Sequence, residues 1–191
     1  MRKLLLFLAL TAAITSHAQE SPVSTMNGAL RLGAGYVHDF PGLNGLGVYT
    51  EYTLPMSNWL QGGIGVKRIM ASGYPRTSTI KEHTNATTLD FNLLFVPYTD
   101  AVQAIKIGGG YTFAFYNTRR SYPVYNTNTN LPQSKEPTWV MEDAKGRVSG
   151  FSFLAEYEYY LENNLSFGAR FTVAKAADPI WMAGPFAAFR F

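Results

Sequence analysis

From Asn27 onward, apolar and polar residues alternate with a period of two, in runs of about ten residues. That period and length describe strands with one apolar face, long enough to cross a bilayer when tilted. The first predicted strand, 29–37, sets Leu30, Leu32, Ala34 and Tyr36 against Arg31, Gly33 and Gly35. In the second, 45–54, Leu46, Val48, Tyr52 and Leu54 oppose Gly47, Tyr49, Glu51 and Thr53. The third, 60–70, opposes Leu60, Ile64 and Val66 to Gln61, Gly63, Gly65 and Lys67. The fourth, 87–98, alternates Leu89, Phe91, Leu93 and Phe95 with Asp90 and Asn92. The fifth, 104–116, sets Ile105, Ile107, Tyr111, Phe113 and Phe115 against Lys106, Gly108, Gly110 and Thr112. A sixth around 151–159 carries Glu156 and Glu158 on its polar face, and a seventh, 165–173, carries Arg170 there. An eighth follows Pro179 and reaches Phe191.

Turn signals stand at Asp39-Phe40-Pro41-Gly42, at 55–58, at 99–103 and at Glu162-Asn163-Asn164. Polar stretches at 71–85 and 117–146 read as longer loops, the second being the longest. Short and long connections alternate, apart from a brief last loop, so the long ones fall on one side of the sheet. The pattern predicts an all-β, antiparallel up-and-down transmembrane β-barrel of about eight strands, with both ends on the short-turn side.

The polar face decides which side is outside. It holds Arg31, Lys67, Lys106, Arg170 and Arg190 against Glu51, Asp90, Glu156 and Glu158, with glycines between them. Exposed to water, those glycines would pack nothing; in a narrow lumen they leave room for long charged side chains. The apolar face carries Phe91, Phe95, Phe113, Phe115, Phe151, Phe153, Phe167 and Phe171, too much bulk for the interior of eight strands. These rings therefore face lipid. Arg68 and Lys175 fall on the same side, near the outer rim. One aromatic girdle is expected from Tyr52, Trp59, Tyr98, Tyr157, Tyr159, Phe189 and Phe191, and another from Tyr36, Phe115, Tyr116, Phe171 and Trp181. Leu94, Leu154 and Phe186 fall in the inward set against this trend, and Pro185 predicts a bulge or register shift in the last strand.

Residues 1–18 carry a basic start, an eleven-residue apolar stretch and a small-x-small ending, the pattern of a secretory signal peptide. Residues 19–26 then form a short periplasmic segment and 27–191 the barrel domain. Losing Arg2 and Lys3 lowers the formal charge from +3 to +1, which leaves no basic block for nucleic acid. The absence of cysteine removes disulfides and thiolate metal sites, so no cofactor is expected from this composition.

The ending Phe186-Ala187-Ala188-Phe189-Arg190-Phe191 resembles the Phe-terminated last strand of the small eight-stranded outer-membrane barrels of Gram-negative bacteria. His17-Ala18-Gln19 resembles the signal ending of Bacteroidota secreted proteins and their outer-membrane barrel domain family. The resemblance implies an outer-membrane location, contact with outer-membrane lipid and lipopolysaccharide, and Phe189 and Phe191 as the signal read by the barrel assembly machinery. It implies no chemistry.

The nine inward charges read as a paired plug, since an unpaired buried charge is costly, or else as a gate in a pore. The 117–146 loop supplies Arg119, Arg120, Tyr122, Tyr125 and Trp139 as candidate contacts for an extracellular ligand or protein. A lipid A-modifying enzyme is the competing class. No His-x-Ser pair supports it; His38-Asp39 is the nearest to an acid-base pair, against its plainer reading as a turn histidine. A soluble lipocalin-type carrier would instead need an apolar interior.

Overall fold

The computed structural model describes residues 28–39, 42–75, 80–125, 138–161, 164–175 and 178–191. Residues 1–27, which include the segments expected to be a signal peptide and a short periplasmic stretch, lie outside the described residues, as do Phe40-Pro41, Glu162-Asn163 and the asparagine-rich run at 126–130. Eight strands run in chain order: β1 (Ala29–Asp39), β2 (Asn44–Ser57), β3 (Leu60–Gly73), β4 (Glu82–Thr99), β5 (Gln103–Val124), β6 (Thr138–Tyr160), β7 (Leu165–Lys175) and β8 (Pro179–Arg190). Each pairs antiparallel with its neighbour, and β8 closes on β1. Closure leaves no free sheet edge within the barrel wall.

The two faces divide as the alternation predicts. All eight phenylalanines assigned to the outside are exposed there, in a belt with Leu32, Val66, Leu93 and Ile107. Arg31, Glu51, Lys67, Asp90, Lys106, Glu156, Glu158 and Arg170 are buried in the lumen. An apolar wall around a charged interior inverts the soluble arrangement and suits lipid outside.

Leu94, Leu154 and Phe186 are buried inside with the charges. Aromatic rings are part of the filling, and the inward glycines serve them as well as the long charged chains. A Cβ on Gly33 would lie 2.5 Å from the Tyr49 ring, and one on Gly63 would lie 2.8 Å from Glu51 Oε1. Tyr116, expected in the outer girdle, instead packs inward against the core around Val37, Ile69 and Met182.

Pro185 produces no register shift. β7 pairs with β8 in continuous register through Ala169↔Pro185. The β1–β8 ladder stops at Gly33↔Phe186 and resumes in the same register at Tyr36↔Ala183. The missing proline N–H is absorbed as a gap opposite Ala34 and Gly35. The irregularities fall elsewhere, at Pro55/Ser57 and Phe95/Tyr98 near the short turns.

The largest departure is in the 117–146 segment. Its described residues are strand apart from Tyr125, because β5 runs to Val124 and β6 begins at Thr138, with Asn117↔Lys145, Arg119↔Asp143 and Pro123↔Trp139 in register. Cross-strand pairs of opposite charge and the β-formers Tyr122, Trp139 and Val140 stabilise this extension. Both of its faces meet solvent, so no apolar alternation marks it. The 71–85 loop is likewise shorter than expected, since β4 begins at Glu82.

Candidate functional site: the charged lumen and the outer hairpin

Six of the inward charges form one cluster in the inner half of the barrel. Arg31 Nη1 donates to Glu156 Oε2 at 2.8 Å and its Nη2 to Glu158 Oε2 at 2.9 Å. Lys106 Nζ donates to Glu158 Oε2 at 2.5 Å and to Gln61 Oε1 at 3.0 Å. Arg170 Nε donates to Glu156 Oε1 at 2.5 Å, and its Nη2 is paired with Glu51. Three cations therefore meet three carboxylates. A buried cluster of this kind is tolerable because it is neutral and because neutral donors take the remaining lone pairs. Asn92 Nδ2 reaches Glu51 at 2.6 Å and Ser166 Oγ reaches Glu158 at 2.5 Å. Arg170 also lies over the Tyr49 ring, 4.5 Å from its centroid, and Arg31 lies 5.4 Å from that of Phe186.

Lys67 and Asp90 stand apart as a second pair at 3.3 Å, with Thr88 and Thr112 hydroxyls donating to Asp90. Arg190 does not join either group. It lies at the inner rim, half-buried, its guanidinium 3.9 Å from the Tyr160 ring centroid, and no carboxylate pairs with it among the described residues. The sequence pattern missed Gln61, Asn92 and Ser166 as members of the network, although their parity places them on the same inward face.

The passage through the barrel is blocked. Between the cluster and Lys67, a space of about 10 Å³ is lined by Tyr49, Asn92, Ser152 and Arg170, room for about one water. Above it a cavity of about 270 Å³ opens toward the long-loop side, walled by Ile69, Ala114, Tyr116, Val148 and Ile180. Arg120 spans its mouth, 3.5 Å from Asp39, 3.6 Å from Asp178 and 3.9 Å from Glu82. Arg120 thus belongs to the barrel mouth and not to a free loop. The deep lumen, filled by charges, is unlike the apolar interior a lipocalin-type carrier needs.

His38 and Asp39 do not form an acid-base pair. Adjacent strand residues point to opposite faces. His38 lies outside against Trp181, its Nδ1 2.7 Å from Asn44 Oδ1. Asp39 lies inside, accepting from the Leu43 N–H at 2.8 Å and the Thr84 hydroxyl at 3.2 Å.

The other candidate contact residues are carried by the extension of β5 and β6. Arg119 is held on its flank by a two-point pair with Asp143, Nε to Oδ1 at 2.6 Å and Nη2 to Oδ2 at 3.0 Å. That pair holds the Asp143 carboxyl below its ordinary range, first through the Arg119 hydrogen bond. β4 pairs with β5 only as far as His83↔Arg119, so beyond it the extension is two-stranded. Tyr122, Tyr125, Val140 and Met141 are exposed there, and Trp139 is half-buried. β7 begins pairing with β6 at Phe151↔Lys175, so no described strand covers that flank of β6 over 138–150.

No family model matches the chain, and no curated protein matches it. Solved structures do. Ail, the attachment invasion locus protein of Yersinia pestis, in complex with the heparin analogue sucrose octasulfate, matches with a TM-score of 0.51 at 12% identity, over 88% of this chain and 100% of that one. The N-terminal β-barrel domain of Pseudomonas aeruginosa OprF gives 0.51 at 15% identity, over 88% and 100%. Neisserial surface protein A gives 0.57 at 10% identity, over 90% and 100%. At these identities the likeness is one of fold. The chain has the fold of the small eight-stranded outer-membrane β-barrels.

Proposed function

We propose that this protein sits in the outer membrane of a Gram-negative cell and displays the β5–β6 hairpin outside for adhesion, partner binding or envelope integrity, without catalysing a reaction. One observation carries the reading: the two longest strands continue past the barrel and expose tyrosine, valine and methionine side chains with an uncovered strand flank. Exposed aromatics suit a binding surface, and an unpaired strand flank offers main-chain hydrogen bonds to an extended segment of another chain. The plugged lumen supports the same reading, since it makes the barrel an anchor more readily than a channel.

On this reading residues 1–18 are the leader, Phe189 and Phe191 address the barrel assembly machinery, and the source is a Bacteroidota-type bacterium. Outer-membrane lipid and the lipopolysaccharide of the outer leaflet surround the barrel. The comparison with Ail, solved with a heparin analogue, makes immobilised sulfated glycan a reasonable first surface to try. Cells bearing the full chain and cells bearing a variant with 121–141 replaced by a short turn are compared for adherence to sulfated glycan and to protein-coated surfaces. The variant should keep its heat-dependent gel mobility and lose adherence. Equal adherence by both would overturn the hairpin's role.

A further inference from the structure

The membrane-facing wall is not uniformly bulky. Across β8, β1, β2 and β3, the small side chains of Ala34 and Ala187 form the floor of an open groove of about 750 Å³, flanked by Leu32, Val48, Val66 and Phe167. Ala34 lies in the gap in the β1–β8 ladder opposite Pro185, and Ala187 pairs with Leu32 just beside it. Arg68 lies at one end of the groove, on the outward face of β3, between Val66 and Met70. Eight residues separate it from Leu60 at the inner end of β3, about 20 Å along the membrane normal for a strand rising ~3.3 Å per residue at a tilt near 40°. The apolar band of such barrels is about 25 Å tall, so Arg68 stands near its outer boundary.

At this depth a lone cation costs little, and an anion that meets it turns the position into an attractive one. Among the described residues, Arg68 has no carboxylate partner, and its one hydrogen bond is from Nη1 to the Thr87 hydroxyl at 2.7 Å. A guanidinium carries five donors in a planar fork suited to phosphate oxygens. The groove beside it is apolar and open to the bilayer.

We propose that this groove is a specific lipid site, in which one acyl chain lies over Ala34 and Ala187 while the phosphate of the same outer-leaflet lipid accepts hydrogen bonds from Arg68. The inference rests on the reading that the barrel spans a membrane, and it is independent of the hairpin.

The test is native mass spectrometry of the folded, detergent-purified protein titrated with dimyristoyl phosphatidate, with dimyristoyl glycerol as the phosphate-free control and inorganic phosphate as the chain-free one. Arg68→Gln removes the charge. Ala187→Leu fills the floor at an outward position level with Leu32 and Phe167. The full chain should retain one phosphatidate, and each variant should bind it about tenfold more weakly. Neither control should bind comparably. Undiminished phosphatidate binding by either variant, or equal binding of the glycerol, would overturn the site. A heat-dependent gel shift in all three proteins shows that the barrel itself is intact, which keeps failure of the lipid site distinct from failure of the membrane reading.

Discussion

Arg31 on β1 and Glu156 on β6 meet across the lumen, Nη1 to Oε2 at 2.8 Å, with both side chains fully buried. They are 125 positions apart in the chain, and closure of the sheet brings them face to face. The contact ties the two sides of the barrel and fixes how the remaining charges pair.

Removing one member should therefore cost far more than a surface ion pair would. Arg31→Met leaves Glu156 with Arg170 and Glu158 with Lys106, and withdraws a cation from three carboxylates. We expect a loss of about 3–5 kcal/mol of folding stability. Urea titration of the protein reconstituted in vesicles measures it; a loss below about 1 kcal/mol would mean that the cluster is not sharing its charges as described.

Tyr49 is clamped between Gly33 and the Arg170 guanidinium. Gly33→Ala should displace the ring and cost about 1–3 kcal/mol, the usual range for overpacking. In a Tyr49→Leu background the same substitution should cost much less. Equal costs in the two backgrounds, read from the same titration as a double-mutant cycle, would contradict the contact.

Asp100, in the turn between β4 and β5, accepts hydrogen bonds from the Tyr98 hydroxyl and from the Val102 and Gln103 N–H groups. These hold its carboxyl below the ordinary value of 3.8, the Tyr98 bond contributing most. A carboxyl with a depressed folded pKa stabilises the fold above its unfolded pKa, and that contribution is lost as pH falls through the folded value. The turn should thus be intact at pH 5 and weaken only well into the acid range. Carbon NMR titration of Asp100 should give a midpoint below 3.8, and Tyr98→Phe should raise it. A midpoint unchanged by Tyr98→Phe would contradict the assignment.

The barrel was legible in the sequence where its two sides face different media. Arg31, Lys106 and Glu156 alternate with apolar neighbours because the wall separates lipid from lumen, so their parity marked them as inward without any contact information. Legibility failed where that contrast disappears. Residues 117–124 and 138–146 form strands with water on both sides, and alternation has nothing to report. Arg190 has inward parity, but at the rim an arginine can lie over Tyr160 instead of reaching the cluster. Tyr116 lies just where β5 leaves the belt, and its parity, not its aromatic character, sets its direction. The ion-pair partners themselves depend on cross-barrel distances that no local pattern encodes.

On the proposed function the β5–β6 hairpin projects from the cell surface while the β4–β5 turn faces the periplasm. The natural chain has no cysteine, so single introduced thiols report position cleanly. Tyr122→Cys and Asp100→Cys proteins are exposed on intact cells to a maleimide that does not cross the outer membrane. Position 122 should be labelled at once and position 100 only after the cells are broken. Labelling of position 100 on intact cells, or protection of position 122, would contradict the proposal.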